Sequence, residues 1–126
     1  MDAMKTPKPK DIVERTFDFA VRIVRLCIYL DEKRGFSRIL APQIVRAGTS
    51  IGSMVEEAQA AESRADFISK MSIGLKEARE THFRLRVVAA ASVLPLDRVT
   101  EIVAEAAEIK LVIGAIVAST KRKSAR

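Results

Sequence analysis

Apolar and polar positions repeat with the period of an α-helix in four successive stretches of this chain. Apolar side chains recur three to four residues apart over about residues 11–33, 37–62, 64–91 and 96–120. A short turn is expected at residues 92–95. Four long helices with short connections predict an all-α fold, an antiparallel up-down-up-down four-helix bundle.

Several residues mark the expected helix ends. Gly35 is a typical stop for the first helix, and Ser37 is expected to cap the second. That second helix tolerates Pro42 only within its opening turns. Ser63 followed by Asp66 resembles a capping box with Asp in place of Glu, so a third helix should begin directly after Ser63.

The first and fourth helices carry more apolar surface than one small bundle needs. Polar residues of the first helix fall within an arc of about 100°, and its apolar face approaches 220°. On the fourth helix an acidic face over residues 97–108 continues as Val112, Ala115 and Ile116. Large apolar patches usually mark an interface, so the pattern predicts a homo-oligomer. Scattered exposed apolar residues, which are normal on soluble proteins, are the alternative interpretation.

The net charge of +6 is concentrated at the two ends of the chain. Without Asp2 and the seven basic residues of the ends, fifteen basic and fifteen acidic residues remain. We therefore divide the chain into a flexible basic arm (1–10), a bundle (11–120) and a basic tail (121–126). The ends are candidates for binding RNA or DNA through phosphate contacts, although basic tails also occur without such a role. The candidate residues are Lys5, Lys8, Lys10, Lys121, Arg122, Lys123 and Arg126.

The sequence offers little for catalysis, metal binding or membrane insertion. It has one cysteine, Cys27, and one histidine, His82, which are too few for a zinc site or a paired di-iron motif. Glycines lie inside the predicted helices rather than in a phosphate-binding loop. The longest apolar runs fall short of the ~20 residues of a membrane span. We expect a cytoplasmic protein with no catalytic residues, no metal and no cofactor, and no signal peptide at its start.

Small and charged residues recur at helical spacing in the second helix. Gly48 and Gly52 lie within it, and a glycine there costs roughly 1 kcal/mol against alanine, which implies close packing. Small residues of the third helix, around Gly74 and Ala78, are expected to face this surface. Arg46 would then pair with Glu80 or Glu77 as a buried pair that fixes the helix register. A contact between Arg46 and RNA phosphate is the alternative.

The same region carries a family resemblance, which covers roughly residues 11–121. The run from Gln43 through Arg46 and Ser50 to Glu57 resembles the signature of the four-helix-bundle proteins encoded in 23S ribosomal RNA intervening sequences. A second block around Glu80 is similar to a later motif of that family. Met54 and Ala58 depart from the pattern, since the family usually has asparagine and glycine there.

The resemblance implies an assembly and two functions. Family members look like antiparallel bundles that form pentameric rings. A related branch serves as the accessory protein of diversity-generating retroelements, where it partners a reverse transcriptase and binds nucleic acid. Our leading hypothesis is therefore a non-catalytic, homo-oligomeric nucleic-acid-associated accessory protein. The second is an oligomeric scaffold subunit whose acidic face on the fourth helix binds a protein partner such as a reverse transcriptase.

Overall fold

Four helices make up the fold. The computed structural model describes residues 11–33 and 35–125, in which it contains helices and turns and no strand. The helices are α1 (Ile12–Asp31), α2 (Phe36–Gln59), α3 (Arg64–Ala90) and α4 (Leu96–Ser124). The prediction of an all-α four-helix protein is confirmed.

Each helix packs against two others. α1 lies against α2 and α4, and α3 lies against the same two helices. α1 and α3 therefore occupy opposite corners of a four-cornered arrangement. All four helices bury apolar side chains between them, and the largest fully buried ones are Phe19, Ile23, Leu30, Ile44, Ile51, Val55, Met71, Leu85, Val88, Val99, Ile109 and Ile113.

The predicted helix start at Ser63 is correct, and the one at Ser37 is wrong. The Ser63 hydroxyl accepts a hydrogen bond from the backbone N–H of Asp66, which caps α3. At the start of α2 the N-cap is Gly35, whose φ of 86° suits a residue without a side chain. Ser37 lies inside the first turn of α2 and is buried. Pro42 does lie near the start of α2, as the sequence requires.

The fourth helix is longer than predicted. It continues four residues beyond Thr120 to Ser124, so Lys121, Arg122 and Lys123 form its last turn. Lysine and arginine are good helix formers, and their charge is favourable near a helix C-terminus. The apolar pattern ends before the helix does, which explains the error.

The close approach at Gly48 and Gly52 involves α1, not α3 as predicted. A Cβ at Gly48 would lie 2.7 Å from Cγ2 of Ile23, and one at Gly52 would lie 3.2 Å from the backbone oxygen of Thr16. Of the predicted small residues on α3, Gly74 does face α2, where its nearest neighbour would be Cβ of Met54 at 3.6 Å. The two α2 glycines thus hold α1 and α2 close together.

Candidate functional surfaces

Part of the sequence motif forms a polar network between α2 and α3. The Arg46 guanidinium hydrogen bonds to Glu80, and its other terminal nitrogen lies 3.4 Å from Glu77 Oε2. One turn away, Arg84 donates to the side-chain oxygen of Gln43. Arg84 Nε is buried, has no hydrogen-bond partner and lies 3.8 Å from Glu80 Oε2. Gln43, Arg46 and Glu80 therefore meet at one place, and Arg84, which sequence reasoning missed, belongs with them.

This network lies at the surface of the subunit. The Arg46 side chain is 55 % exposed and that of Glu80 is 34 % exposed. The predicted pairing is present, but the prediction that it is buried is wrong for a single chain. Exposed ion pairs contribute about 0–1 kcal/mol, so the pair adds little to the stability of one subunit.

Two other motif residues do not join the network. The Ser50 hydroxyl donates to the backbone oxygen of Arg46 at 2.6 Å, so it is used within its own helix. Glu57 is exposed, and its negative charge acts on Lys70 instead of Arg46. It helps to raise the pKa of Lys70. The main cause of that raised pKa is the hydrogen bond from Lys70 to Asp66.

Exposed large apolar side chains of α1 and of α3 form two separate surfaces. The first, which we call the α1–α2 groove, carries Phe17, Val24 and Ile28 of α1. Val24 and Ile28 lie beside Pro42 and Val45 of α2, and Phe17 lies farther along, beside Gly52 and Ser53. The excess apolar surface predicted for α1 is therefore present, and Phe17 is 58 % exposed.

The second surface is the α3 stripe, formed by Ile73, Phe83 and Val87, in which Phe83 is 60 % exposed. These residues fall on one side of α3, close to the polar network of Arg46 and Glu80. On α4 the exposed large apolar residues are Leu96 and Leu111. Ile116, which the sequence assigned to an exposed apolar face, packs instead against the core.

Of the basic residues at the chain ends, three can be placed. Lys121, Arg122 and Lys123 are exposed in the last turn of α4. Lys5, Lys8, Lys10 and Arg126 lie outside the described residues. The acidic face of α4 is partly neutralised within the subunit, because Arg15 of α1 makes two hydrogen bonds to Glu105, at 2.7 and 2.8 Å.

The cysteine and the histidine have local roles. Cys27 is buried, and burial raises the pKa of its thiol to about 11, so it stays protonated at neutral pH. His82 is half-buried, with its Nδ1 3.2 Å from Lys110 Nζ on α4. Burial lowers the pKa of His82, and the nearby charges of Lys110 and Arg86 lower it further.

Residues 11–33 and 35–125 contain no group of three or more His, Cys, Asp or Glu side chains that could hold a metal ion. In the same residues, no helix combines the length and the apolar character needed to cross a bilayer.

Several aromatic residues are accessible at the surface. Phe17 and Phe83 are exposed. Tyr29 lies among cations, with Lys33 Nζ and the guanidinium carbon of Arg98 each 4.9 Å from the centre of its ring. Its position on the polar face of α1, four residues after Arg25, is the signal that could have shown this.

Fold and motif together define an all-helical protein with an exposed arginine–glutamate network. Residues 8–115 match the model of the 23S rRNA-intervening sequence protein family. The chain belongs to this family.

A solved structure has a similar fold and a related sequence. The chain is similar to a protein of unknown function from the S23 ribosomal protein family of Bacteroides thetaiotaomicron. The two share 35 % sequence identity with a TM-score of 0.78, over 85 % of this chain and 98 % of that one. No match was found among curated proteins.

Proposed function

We propose that this chain is a non-catalytic, self-associating protein that binds RNA or DNA as an accessory factor. The observation that carries the proposal is the exposure of large apolar side chains on two distinct surfaces of the subunit. Phe17 and Ile28 in the α1–α2 groove and Phe83 in the α3 stripe are each more than half exposed. Covering them with other copies of the chain removes this apolar surface from water, which favours association.

We propose that consecutive helices of the bundle run antiparallel. Three contacts between α2 and α3 support this course: Gln43 meets Arg84, Arg46 meets Glu80, and Ile51 approaches Gly74. Residue numbers rise along α2 while their partners fall along α3. The short connections between consecutive helices agree with the same arrangement.

A ring suits the placement of the two apolar surfaces. A head-to-tail interface joins two different patches on each subunit and closes into a ring when the rotation allows it. The α1–α2 groove and the α3 stripe are two such patches, and α1, which carries Phe17 and Ile28, lies at the corner of the bundle opposite α3. Five copies is the number that the family resemblance implies.

Nucleic-acid binding rests on charge. Lys121, Arg122 and Lys123 are exposed at one end of each subunit, and a ring would repeat them by symmetry. Several copies multiply weak contacts through a high effective concentration. Because the contacts would be to phosphate, binding is expected to weaken steeply with salt and to depend little on sequence.

The test replaces the three residues without shortening α4. A Lys121→Gln/Arg122→Gln/Lys123→Gln variant should lose affinity for a labelled single-stranded RNA, measured by anisotropy over a salt series. Native mass spectrometry should show its assembly unchanged. The control is Arg38→Gln/Arg64→Gln/Arg86→Gln, which removes the same charge from exposed positions elsewhere.

Removal of residues 1–10 tests the N-terminal lysines in the same assay. Wild-type protein that fails to bind RNA or DNA at low salt would contradict the nucleic-acid part of the proposal. Equal losses in the α4 variant and the control would contradict a role for the α4 end.

A scaffold that binds a protein partner, such as a reverse transcriptase, is the second candidate. Asp97, Glu101 and Glu108 are exposed on α4 and offer a surface for a basic partner. Replacing the three with Asn or Gln should abolish capture of such a partner and leave RNA binding intact. Loss of RNA binding alone in the α4 basic variant favours the first candidate.

A further inference from the structure

A cleft between α1 and α4 collects arginine side chains. It encloses about 230 Å³ and is lined by Arg22, Arg25, Leu26, Tyr29, Arg98 and Ile102. Since a water molecule in the liquid occupies roughly 30 Å³, the cleft has room for a small polyatomic group together with water. We call it the arginine cleft.

The positive charge of the arginine cleft has no matching carboxylate. Within residues 11–33 and 35–125, Arg22, Arg25 and Arg98 form no ion pair with Asp or Glu. Asp97 and Glu101 lie close to Arg98 along α4, yet neither lines the cleft. By contrast, Arg15 farther along the same seam is paired with Glu105.

The ring of Tyr29 contacts two of the positively charged side chains at the cleft. Arg98 from α4 and Lys33, just after the end of α1, both lie 4.9 Å from the centre of its ring. Cations at this distance are attracted to the ring face, so the tyrosine partly offsets the repulsion between neighbouring cations. The aromatic ring thus fixes two cations beside the two arginines of α1.

These observations point to an anion as the missing partner. Guanidinium groups present planar pairs of N–H donors that match the oxygens of phosphate. We infer that the arginine cleft is a phosphate-binding site. The phosphate can belong to an RNA or DNA backbone, in which case the inference rests on the proposed function, or to a free polyphosphate. The site is separate from Lys121, Arg122 and Lys123 in the last turn of α4.

Tyrosine fluorescence tests the cleft directly. Tyr29 is the only tyrosine and the chain has no tryptophan, so this emission reports on the cleft alone. Titration with inorganic pyrophosphate at constant ionic strength should produce a saturable change in the full-length protein. An Arg22→Gln/Arg25→Gln/Arg98→Gln variant should lose this change, and the Arg38→Gln/Arg64→Gln/Arg86→Gln control should keep it. Circular dichroism checks the helical content of both variants, and a single Arg25→Gln variant, expected to weaken binding, replaces the triple variant if that one unfolds.

A second arm identifies the source of the phosphate. With labelled single-stranded RNA, the cleft variant should bind about tenfold more weakly than wild type, with a salt slope lower by about 0.7 for each phosphate group that the variant no longer binds. The control variant should lose clearly less affinity. Pyrophosphate binding without RNA binding would assign the cleft to a free polyphosphate and contradict the proposed function alone. The inference is overturned by a wild-type protein without a saturable response, or by equal losses in the two triple variants.

Discussion

At the scale of single residues, burial and neighbouring charge decide what the titratable groups can do. The thiol of Cys27 is enclosed by core side chains, and its raised pKa keeps it protonated and unreactive at neutral pH. The pKa of His82 is lowered, because partial burial and then the charges of Lys110 and Arg86 favour its neutral form. Neither group has the environment of a nucleophile or a metal ligand.

Stability should fall as the pH is lowered through the titration range of His82. The pKa of this histidine is about 6.5 in the unfolded chain and lower in the folded one. Below about pH 6.5 the unfolded state therefore binds more protons, so folding weakens as the pH falls toward the lowered pKa. The melting temperature of the wild type should drop more between pH 7.5 and pH 5.5 than that of a His82→Gln variant.

A Lys110→Gln variant extends the same test. Its Nζ lies 3.2 Å from His82 Nδ1, and removing this positive charge should raise the pKa of the histidine toward its ordinary value. The acid-induced loss of stability should then become smaller. An identical pH dependence in the wild type and in the His82→Gln variant would show that His82 does not contribute.

At the scale of helices, the sequence predicted features within one helix more successfully than which helices pack against each other. The Ser63 cap depends on two residues only three positions apart, Ser63 and Asp66, and the sequence identified it correctly. The glycines of α2 were correctly expected at a close approach, but against the wrong helix. Spacing along a helix shows which residues share a face, whereas the neighbour that covers the face depends on the whole arrangement. The cap at Ser37 was wrong because Gly35, with its positive φ, occupies the N-cap position.

The two kinds of helical glycine should respond oppositely to alanine. At Gly48 a new Cβ would lie 2.7 and 2.9 Å from two carbons of Ile23, so Gly48→Ala should destabilise the fold by about 1–3 kcal/mol. Gly114, in the middle of α4, has its nearest neighbour at 3.9 Å. Gly114→Ala should stabilise by about 0.4–1 kcal/mol, because alanine is the better helix former.

Urea unfolding of the two variants and the wild type measures both changes. Both variants replace a glycine inside a helix with alanine, and they differ in the space around that glycine. Each therefore serves as the control for the other. A stabilising Gly48→Ala substitution would contradict the close packing of α1 against α2.

The exposed network of the motif should matter more for assembly than for the fold of one chain. Since the Arg46 side chain is 55 % exposed, Arg46→Ala should lower the stability of a single subunit by no more than about 1 kcal/mol. If the neighbouring α3 stripe is covered by another copy, the same change should shift the assembly toward smaller species. Thermal melts and sedimentation velocity on the same samples separate the two effects.

Lys70→Ala is the matched control for that substitution. Lys70 forms a comparable surface ion pair with Asp66 near the start of α3, one turn before Ile73 and far along the helix from Phe83 and Val87. Its loss should leave the sedimentation profile unchanged. Equal effects of the two substitutions on assembly would contradict a specific role of the Arg46–Glu80 network in assembly.

At the scale of the whole molecule, the sequence predicted the fold class and the excess of apolar surface on α1. It could not show which charged residues lie together, because the arginine cleft joins arginines of α1 and α4 that are more than 70 positions apart in the chain. The polar network shows the same limit. Arg84 belongs with Gln43 and Glu80 only because α2 and α3 lie side by side. The exposure of Phe83 also follows from the arrangement of the helices and not from its local sequence.

Self-association is the central claim of this account, and sedimentation velocity of the full-length protein at low micromolar concentration tests it most directly. The account predicts a particle with the mass of several chains. It also predicts that Phe83→Asp, in the α3 stripe, dissociates that particle, whereas Ala104→Asp at an exposed position on α4 leaves it intact. A compact, folded single chain in the wild-type sample would contradict the account.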